Sequence, residues 1–172
     1  TDTERPITAF VVTRHAVRAF EIPDADLLRQ VGRRYEAALE RLRARAQVPW
    51  RAARASMLRQ ARGIRVGTET EGTLANLVRL YRHELSVPRA ERLLTPERRT
   101  TLGQHLYSLL VAPIEGAVAS RKTLVIVPDG ALSYLPFETL SDWSGRSVIA
   151  RWQVRYVQSL RVQYHLRARS RA

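Results

Sequence analysis

The acidic side chains best placed for chemistry are Asp129 and Glu138, in the stretch TLVIVPDGALSYLPFETL over residues 123–140. Four apolar residues, Leu124 to Val127, three of them β-branched, suit a strand covered on both faces, and Pro128-Asp129-Gly130 cannot prolong it. A second apolar cluster, Leu132 to Leu140, follows at once. In open α/β sheets ligands and chemistry gather outside the carboxyl ends of the strands, and Asp129 stands at such a place. As an acid and base pair, Asp129 and Glu138 lack any surrounding mark of a sugar or phosphate pocket. Gly130 stands alone, without the spaced glycines and the lysine that cradle a phosphate.

Other chemistries are excluded more firmly. The 172 residues contain no cysteine, which removes disulfides, a thiolate metal site and a cysteine nucleophile from them. The histidines at 15, 83, 105 and 165 show no metal-ligand spacing, and no carboxylates cluster with them. There is no Gly-x-Ser-x-Gly elbow. No catalytic residue, no metal ligand and no cofactor-binding residue is assigned, and no cofactor is expected.

The elements that would position Asp129 can be read from periodicity. Two β-rich runs, Ile7 to Thr13 and Val17 to Ile22, flank a short break at Arg14-His15-Ala16 and predict a hairpin with His15 at an exposed tip. Asp24 is the expected N-cap of a helix to about Arg45, with Leu27, Leu28, Val31, Tyr35, Ala38, Leu39 and Leu42 on its apolar stripe. Residues 47–72 are punctuated by Pro49, Gly63, Gly67 and Gly72. They read as a variable excursion or lid with room for one helix over 50–62, anchored by Trp50 and Met57. A further helix carries Leu74, Leu77, Val78, Tyr81 and Leu85. Thr95 and Pro96 then open another, with Leu102, Leu106, Leu109 and Leu110 on one stripe and His105 and Tyr107 beside it. Pro113 is expected to kink that helix. After the Asp129 strand, SDWSGRS is a turn, VIARWQVRYVQS a strand or hairpin, and LRVQYHLRARSRA the start of a helix. This order is an α/β pattern in a single domain, whose buried strand needs neighbours on its edges.

The net charge is +13, carried by 28 arginines and one lysine, Lys122. The arginines alternate with acids along the predicted helices, as in RRYEAALERLRARA, which favours solvated faces over a nucleic-acid surface; the exception is the tail, with Arg161, Arg167, Arg169 and Arg171. No apolar run approaches the ~20 residues of a membrane span, and TDTERPITAF lacks the build of a signal peptide. A soluble, cytoplasmic protein is expected. The opening on Thr1 rather than Met suggests an internal or processed piece.

Residues 106–140 and 156–159 resemble the CHAT family, caspase-like domains found behind tetratricopeptide repeats. The resemblance rests on Leu106-Tyr107, Leu109-Leu110, Pro113-Ile114-Glu115, Val125-Ile126-Val127-Pro128-Asp129-Gly130, Leu132, Leu135-Pro136-Phe137-Glu138 and Tyr156-Val157-Gln158-Ser159. It is specific from about Thr101 to Ser159 and looser from Ile7 to Arg45, where His15-Ala16 stands in place of the family's usual Asp-Gly turn. The resemblance implies the N-terminal portion of a caspase-like α/β sandwich over residues 7–172: hairpin, several helices and the start of the central sheet. In active members a His and Cys dyad cleaves peptides, the histidine deprotonating the thiol and backbone amides holding the oxyanion. The dyad follows the Tyr-x-x-Ser strand, so the chain reaches Ala172 before it, and His165 lies too early and lacks the following glycine.

On this reading Asp129 borders the family's substrate cleft and is the candidate pocket residue for a basic side chain. The plainer reading, an Asp-Gly turn that stops the strand, is the more common use of the pair. The implied partners are the C-terminal half of the same domain, or another chain, joined through a strand edge; a homo-oligomer is one form of this, and a protein is the substrate of the complete parent. A non-catalytic interaction or scaffold module is the alternative, and nucleic-acid binding through arginine faces a weaker one.

Overall fold

The computed structural model describes residues 7–13, 16–22, 24–45 and 69–157. Two strands, β1 (Ile7–Val12) and β2 (Val17–Ile22), pair antiparallel from Ile7 opposite Ile22 to Val12 opposite Val17. The Thr13 amide donates to the Ala16 carbonyl at 2.8 Å and closes the ribbon. Alternation puts Ala9, Val11 and Phe20 against the core, while Phe10, Val12 and Val17 face outward.

Helix α1 (Ala25–Arg45) starts where the sequence predicts, with the Asp24 carboxylate accepting the Leu27 amide at 2.9 Å. Its stripe of Leu28, Val31, Tyr35, Ala38 and Leu39 is buried against α2 (Glu69–Ser86). The start of α2 at Glu69 lies inside the stretch 47–72, ahead of the predicted start near Leu74. Helix α3 (Pro96–Leu110) is capped by the Thr95 hydroxyl, which accepts the Arg98 amide at 3.3 Å, with Pro96 at the start of the helix. The expected kink is a break at Val111, after which α4 (Ala112–Val118) runs on with Pro113 in its first turn and packs on β1 and β2. Gly103 is buried where α3 meets α2. A Cβ there would stand 3.1 Å from the Tyr81 hydroxyl, tighter than ordinary contact, so a larger residue would need the tyrosine ring to shift by a few tenths of an ångström.

Strand β3 (Thr123–Ile126) is followed by two 3₁₀ turns, Gly130–Tyr134 and Phe137–Thr139, a short helix α5 (Val148–Arg151), and β4 (Gln153–Tyr156). β3 and β4 pair in parallel, Thr123 opposite Gln153 through Ile126 opposite Tyr156. Two expectations change here. VIARWQVRYVQS is neither one strand nor a hairpin: Val148–Arg151 is a helical turn, because the Trp152 amide bonds back to the Val148 carbonyl at 3.0 Å. β3 is not covered on both faces by the described residues. Leu124 and Ile126 pack on the core while Val125 is 36% exposed, since the helices cover one side only.

The Gln153 amide donates to the Lys122 carbonyl and the Val157 amide to that of Ile126. With a period of two, the backbone groups of Thr123, Val125 and Val127 therefore point to the other edge of β3, where no strand pairs among the described residues. The chain is thus mixed α/β, with a helical layer on one face of a two-stranded parallel pair. The predicted helix over 50–62, Trp50, Met57, His15 and the stretch from Gln158 to Ala172, with His165, lie outside the described residues. No helix of the described residues is long and apolar enough to cross a membrane.

Candidate functional site

The carboxyl ends of β3 and β4 open on the first 3₁₀ turn. Asp129 is exposed there, and its carboxylate accepts the amide of Gly130 at 2.8 Å, capping that turn. Gly130 has φ 54, a conformation that favours glycine after the aspartate. The geometry brings Asp129 to the end of the strand, as the sequence implies, and it is not among the residues that line a groove with Glu138.

Glu138 instead borders a shallow groove of about 420 Å³ with Arg82, Leu85, Tyr134, Pro136 and Tyr156, which join the last turns of α2 to the 3₁₀ turns and the end of β4. The Tyr156 hydroxyl donates to the Glu138 carboxylate and accepts the Phe137 amide at 2.9 Å, which locks the ring as one wall. Burial, then the bond to Glu138, pushes the Tyr156 phenol up to about 12. Across the groove the Arg82 guanidinium lies over the Tyr134 ring, 5.1 Å from its centre.

A second cluster does different work. Arg151 in α5 bonds to Glu115 of α4 and Asp142 of the preceding turn, and donates to the Tyr107 hydroxyl at 2.9 Å. Tyr107 donates in turn to Glu115 at 2.8 Å, and burial followed by this bond raises its phenol well above the ordinary range. Asp142 also accepts the Ser144 hydroxyl and the amides of Ser144 and Arg146, and the hydroxyl bond leads the causes that hold its carboxyl below the usual range. Each acid is thus taken by a partner inside the fold. The next residue, Trp152, is buried and donates its indole N–H to the Val118 carbonyl at 3.2 Å. The cluster fixes where β4 begins.

His105 belongs to a third cluster, buried between Tyr35, Arg34 and Trp143. Arg34 Nη1 approaches its Nε2 at 3.4 Å, and a guanidinium can only donate, so Nε2 accepts. Burial, then the Arg34 charge, lowers its pKa against a smaller opposing bond to the Thr101 backbone. This placement beside the leucine stripe gives His105 a packing role. No group of three or more His, Cys, Asp or Glu residues that could hold a metal occurs among the described residues.

Sequence reasoning missed the groove, because Arg82, Tyr134 and Tyr156 are far apart in the chain. It also missed Glu84, which is fully buried and accepts the amides of Leu93 and Leu94 at 2.7 and 3.2 Å. A signal existed: Leu77, Leu80, Tyr81 and Glu84 share a helical face, so an acid stands on an apolar stripe.

Comparison with protein families matches residues 100–172 to the CHAT domain. The match contains the stretch from Thr101 to Ser159 that carries the resemblance; the looser likeness of Ile7 to Arg45 lies outside it. No curated protein and no solved structure matches the chain.

Proposed function

From the CHAT match over residues 100–172, we propose that this chain forms the N-terminal part of a caspase-like CHAT domain, an α/β sandwich whose central sheet begins with β3 and β4. The observation that carries the reading is the parallel β3–β4 pair inside the matched residues, with the outward backbone groups of Thr123, Val125 and Val127 unpaired among the described residues. A strand added there, from the rest of the same domain or from a second chain, extends the sheet by main-chain hydrogen bonds. With no cysteine in the 172 residues, the thiol of a cysteine peptidase belongs to other residues, and these residues supply the start of the sheet and one wall of the cleft. The cytoplasm is the proposed compartment, and a protein the proposed substrate.

The experiment is done on the 172-residue chain and on its complete parent, with fluorogenic peptides ending in Arg or Lys. The expected result is no cleavage by the chain and cleavage by the parent that iodoacetamide abolishes. Cleavage by the chain itself, or by an alkylated parent, overturns the reading. Asp129→Asn tests the pocket separately: if cleavage after basic residues is untouched, Asp129 is only the cap of its turn.

The second reading is a non-catalytic interaction module that uses the same β3 edge, whose outward backbone groups are unpaired among the described residues. Val125→Pro separates the edge from the rest of the fold, because the amide it removes points away from β4. Association with the partner strand should be lost while the chain stays folded by circular dichroism. Nucleic-acid binding is the weakest reading. Much of the excess charge, Arg51, Arg54, Arg59, Arg62 and Arg65 among it, lies outside the described residues.

A further inference from the structure

Coiling sorts the charges that alternate along RRYEAALERLRARA. Arg34, Arg41 and Arg45 follow one line along α1, while Glu36 and Glu40 fall on the opposite side of the helix, Glu40 paired with Arg43. Contacts fix that line where α1 meets α3 and the loop before it. Arg34 Nη1 approaches His105 Nε2 at 3.4 Å, Arg41 donates to the Leu93 carbonyl at 3.2 Å, and Arg45 donates to the Glu91 carbonyl. Arg98 of α3 joins them by donating to the Arg34 carbonyl at 3.0 Å. All four arginines are exposed, and none is ion-paired among the described residues. These bonds use one or two of the five N–H groups of each guanidinium and leave the others for an anion. The acids of the adjoining residues 84–99 are Glu84, Glu91 and Glu97, and Arg89, Arg92 and Arg99 match them one for one, so the charge of the four is not cancelled.

An aromatic platform stands at the Arg34 end. Trp143 is 60% exposed, its ring centre lies 5.2 Å from that of His105, and its indole N–H donates to the Ser108 hydroxyl at 3.0 Å, which holds the ring in place. Arg34 reaches the same imidazole, so a cation and an open ring flank one side chain. Asp142, the neighbouring acid, is taken by Arg146 and Arg151. From Arg34 to Arg45 the stripe runs about 16 Å along α1, and a nucleic-acid strand carries one charge per about 3.4 Å of its axis. We propose that the stripe binds the backbone of a single-stranded nucleic acid, with a base stacked on Trp143. Positive charge selects a polyanion, and the ring beside it selects one that carries bases. Net charge alone makes nucleic-acid binding a weak reading; the stripe is a local arrangement that the charge count does not reveal. The inference goes beyond the CHAT reading and does not use the β3 edge, so either stands without the other.

The test measures binding of a fluorescein-labelled oligothymidylate to the 172-residue chain by anisotropy over a range of salt concentrations. Affinity should fall steeply as salt rises. Arg41→Gln with Arg45→Gln should weaken binding about tenfold and make the plot of log K against log salt shallower by about 1.4, since each lost phosphate contact removes about 0.7 from the slope. The chain carries other arginines, so the control is Arg33→Gln with Arg43→Gln, which removes the same charge from α1 away from the stripe and should leave affinity and slope close to the parent's. Trp143→Ala should weaken binding about fivefold or more without changing the slope. These positions are exposed, so circular dichroism should find the variants folded. Four results overturn the proposal: no binding at low salt, equal losses in the stripe pair and the control pair, affinity unchanged in Trp143→Ala, or displacement of the oligonucleotide by polyglutamate at matched charge, which would assign the stripe to an acidic protein segment.

Discussion

The helical layer and the parallel pair are both built from apolar sequence, yet they are covered to different degrees. Leu77, Leu80, Leu102 and Leu106 are 0% exposed, whereas Val125, Val127 and Tyr156 are 36%, 41% and 45% exposed. The reason is geometric. An amphipathic helix has one stripe to bury, and α1, α2 and α3 supply that cover to each other. A strand has two faces and two edges, and the described residues occupy one of each for β3. Among the described residues the helical layer covers itself, while the outer face and one edge of β3 are left uncovered.

The largest test of this difference compares two truncations. Leu102→Ala should cost about 2–5 kcal/mol in urea unfolding, because it removes a fully enclosed side chain. Val125→Ala should cost under about 1 kcal/mol, as for substitutions at partly exposed positions. Equal costs would show that the outer face of β3 is covered after all.

Glu84 sharpens the contrast from the polar side. Glu84→Ala strands two amides in the helical layer and should lower stability by roughly 2 kcal/mol, with Glu84→Gln recovering part of it. A melt that Glu84→Ala leaves unmoved would mean that water reaches those amides.

Two arginines stacked on tyrosines give the next comparison. Arg151 is held by Glu115 and Asp142 with its side chain 15% exposed, while Arg82 has no acid partner among the described residues. Arg151→Met should cost about 1–3 kcal/mol, between the values of exposed and buried pairs since Glu115 is partly solvated. Arg82→Met should stay within about 0.5 kcal/mol of the parent. The reverse order in thermal melts would break the distinction between a structural and an available arginine.

The smallest effect is on pH. His105 has a folded pKa below its ordinary 6.5, so the unfolded chain binds the proton more readily. The stability due to neutral His105 is therefore present above about 6.5 and is lost as pH falls toward the lowered folded value. His105→Gln, which keeps an acceptor for Arg34, should flatten unfolding free energies measured between these limits. An unchanged slope would place the titration elsewhere.

Much of the helical layer was legible because its determinants are local. Asp24 and Thr95 cap the helices that their positions predict, and the leucine stripes face the core. Residues 123–126 were recognisable as a strand, but β-branched side chains favour a strand without saying how many faces are buried, and the described residues cover one. Val148 to Arg151 misled for a related reason: their apolar, β-branched start looks extended, and one backbone bond to Trp152 coils it. Of the candidate site, Asp129 and its turn could be read, while Glu138 with Tyr156 and Arg82 with Tyr134 could not, because these contacts join distant parts of the chain.

By itself the sequence determined the caps, the stripes, the Asp129 turn, the lack of a cysteine in these 172 residues and the CHAT-like stretch, all of which depend on residue identity at short range. Only the tertiary structure decided that β4 lies parallel beside β3, that Arg151 is enclosed by acids, and that Arg82 stacks on Tyr134 with no acid partner among the described residues. Each of those depends on which distant side chains arrive together, and a carboxylate or guanidinium in a sequence carries no mark of whether its partner is already inside the fold.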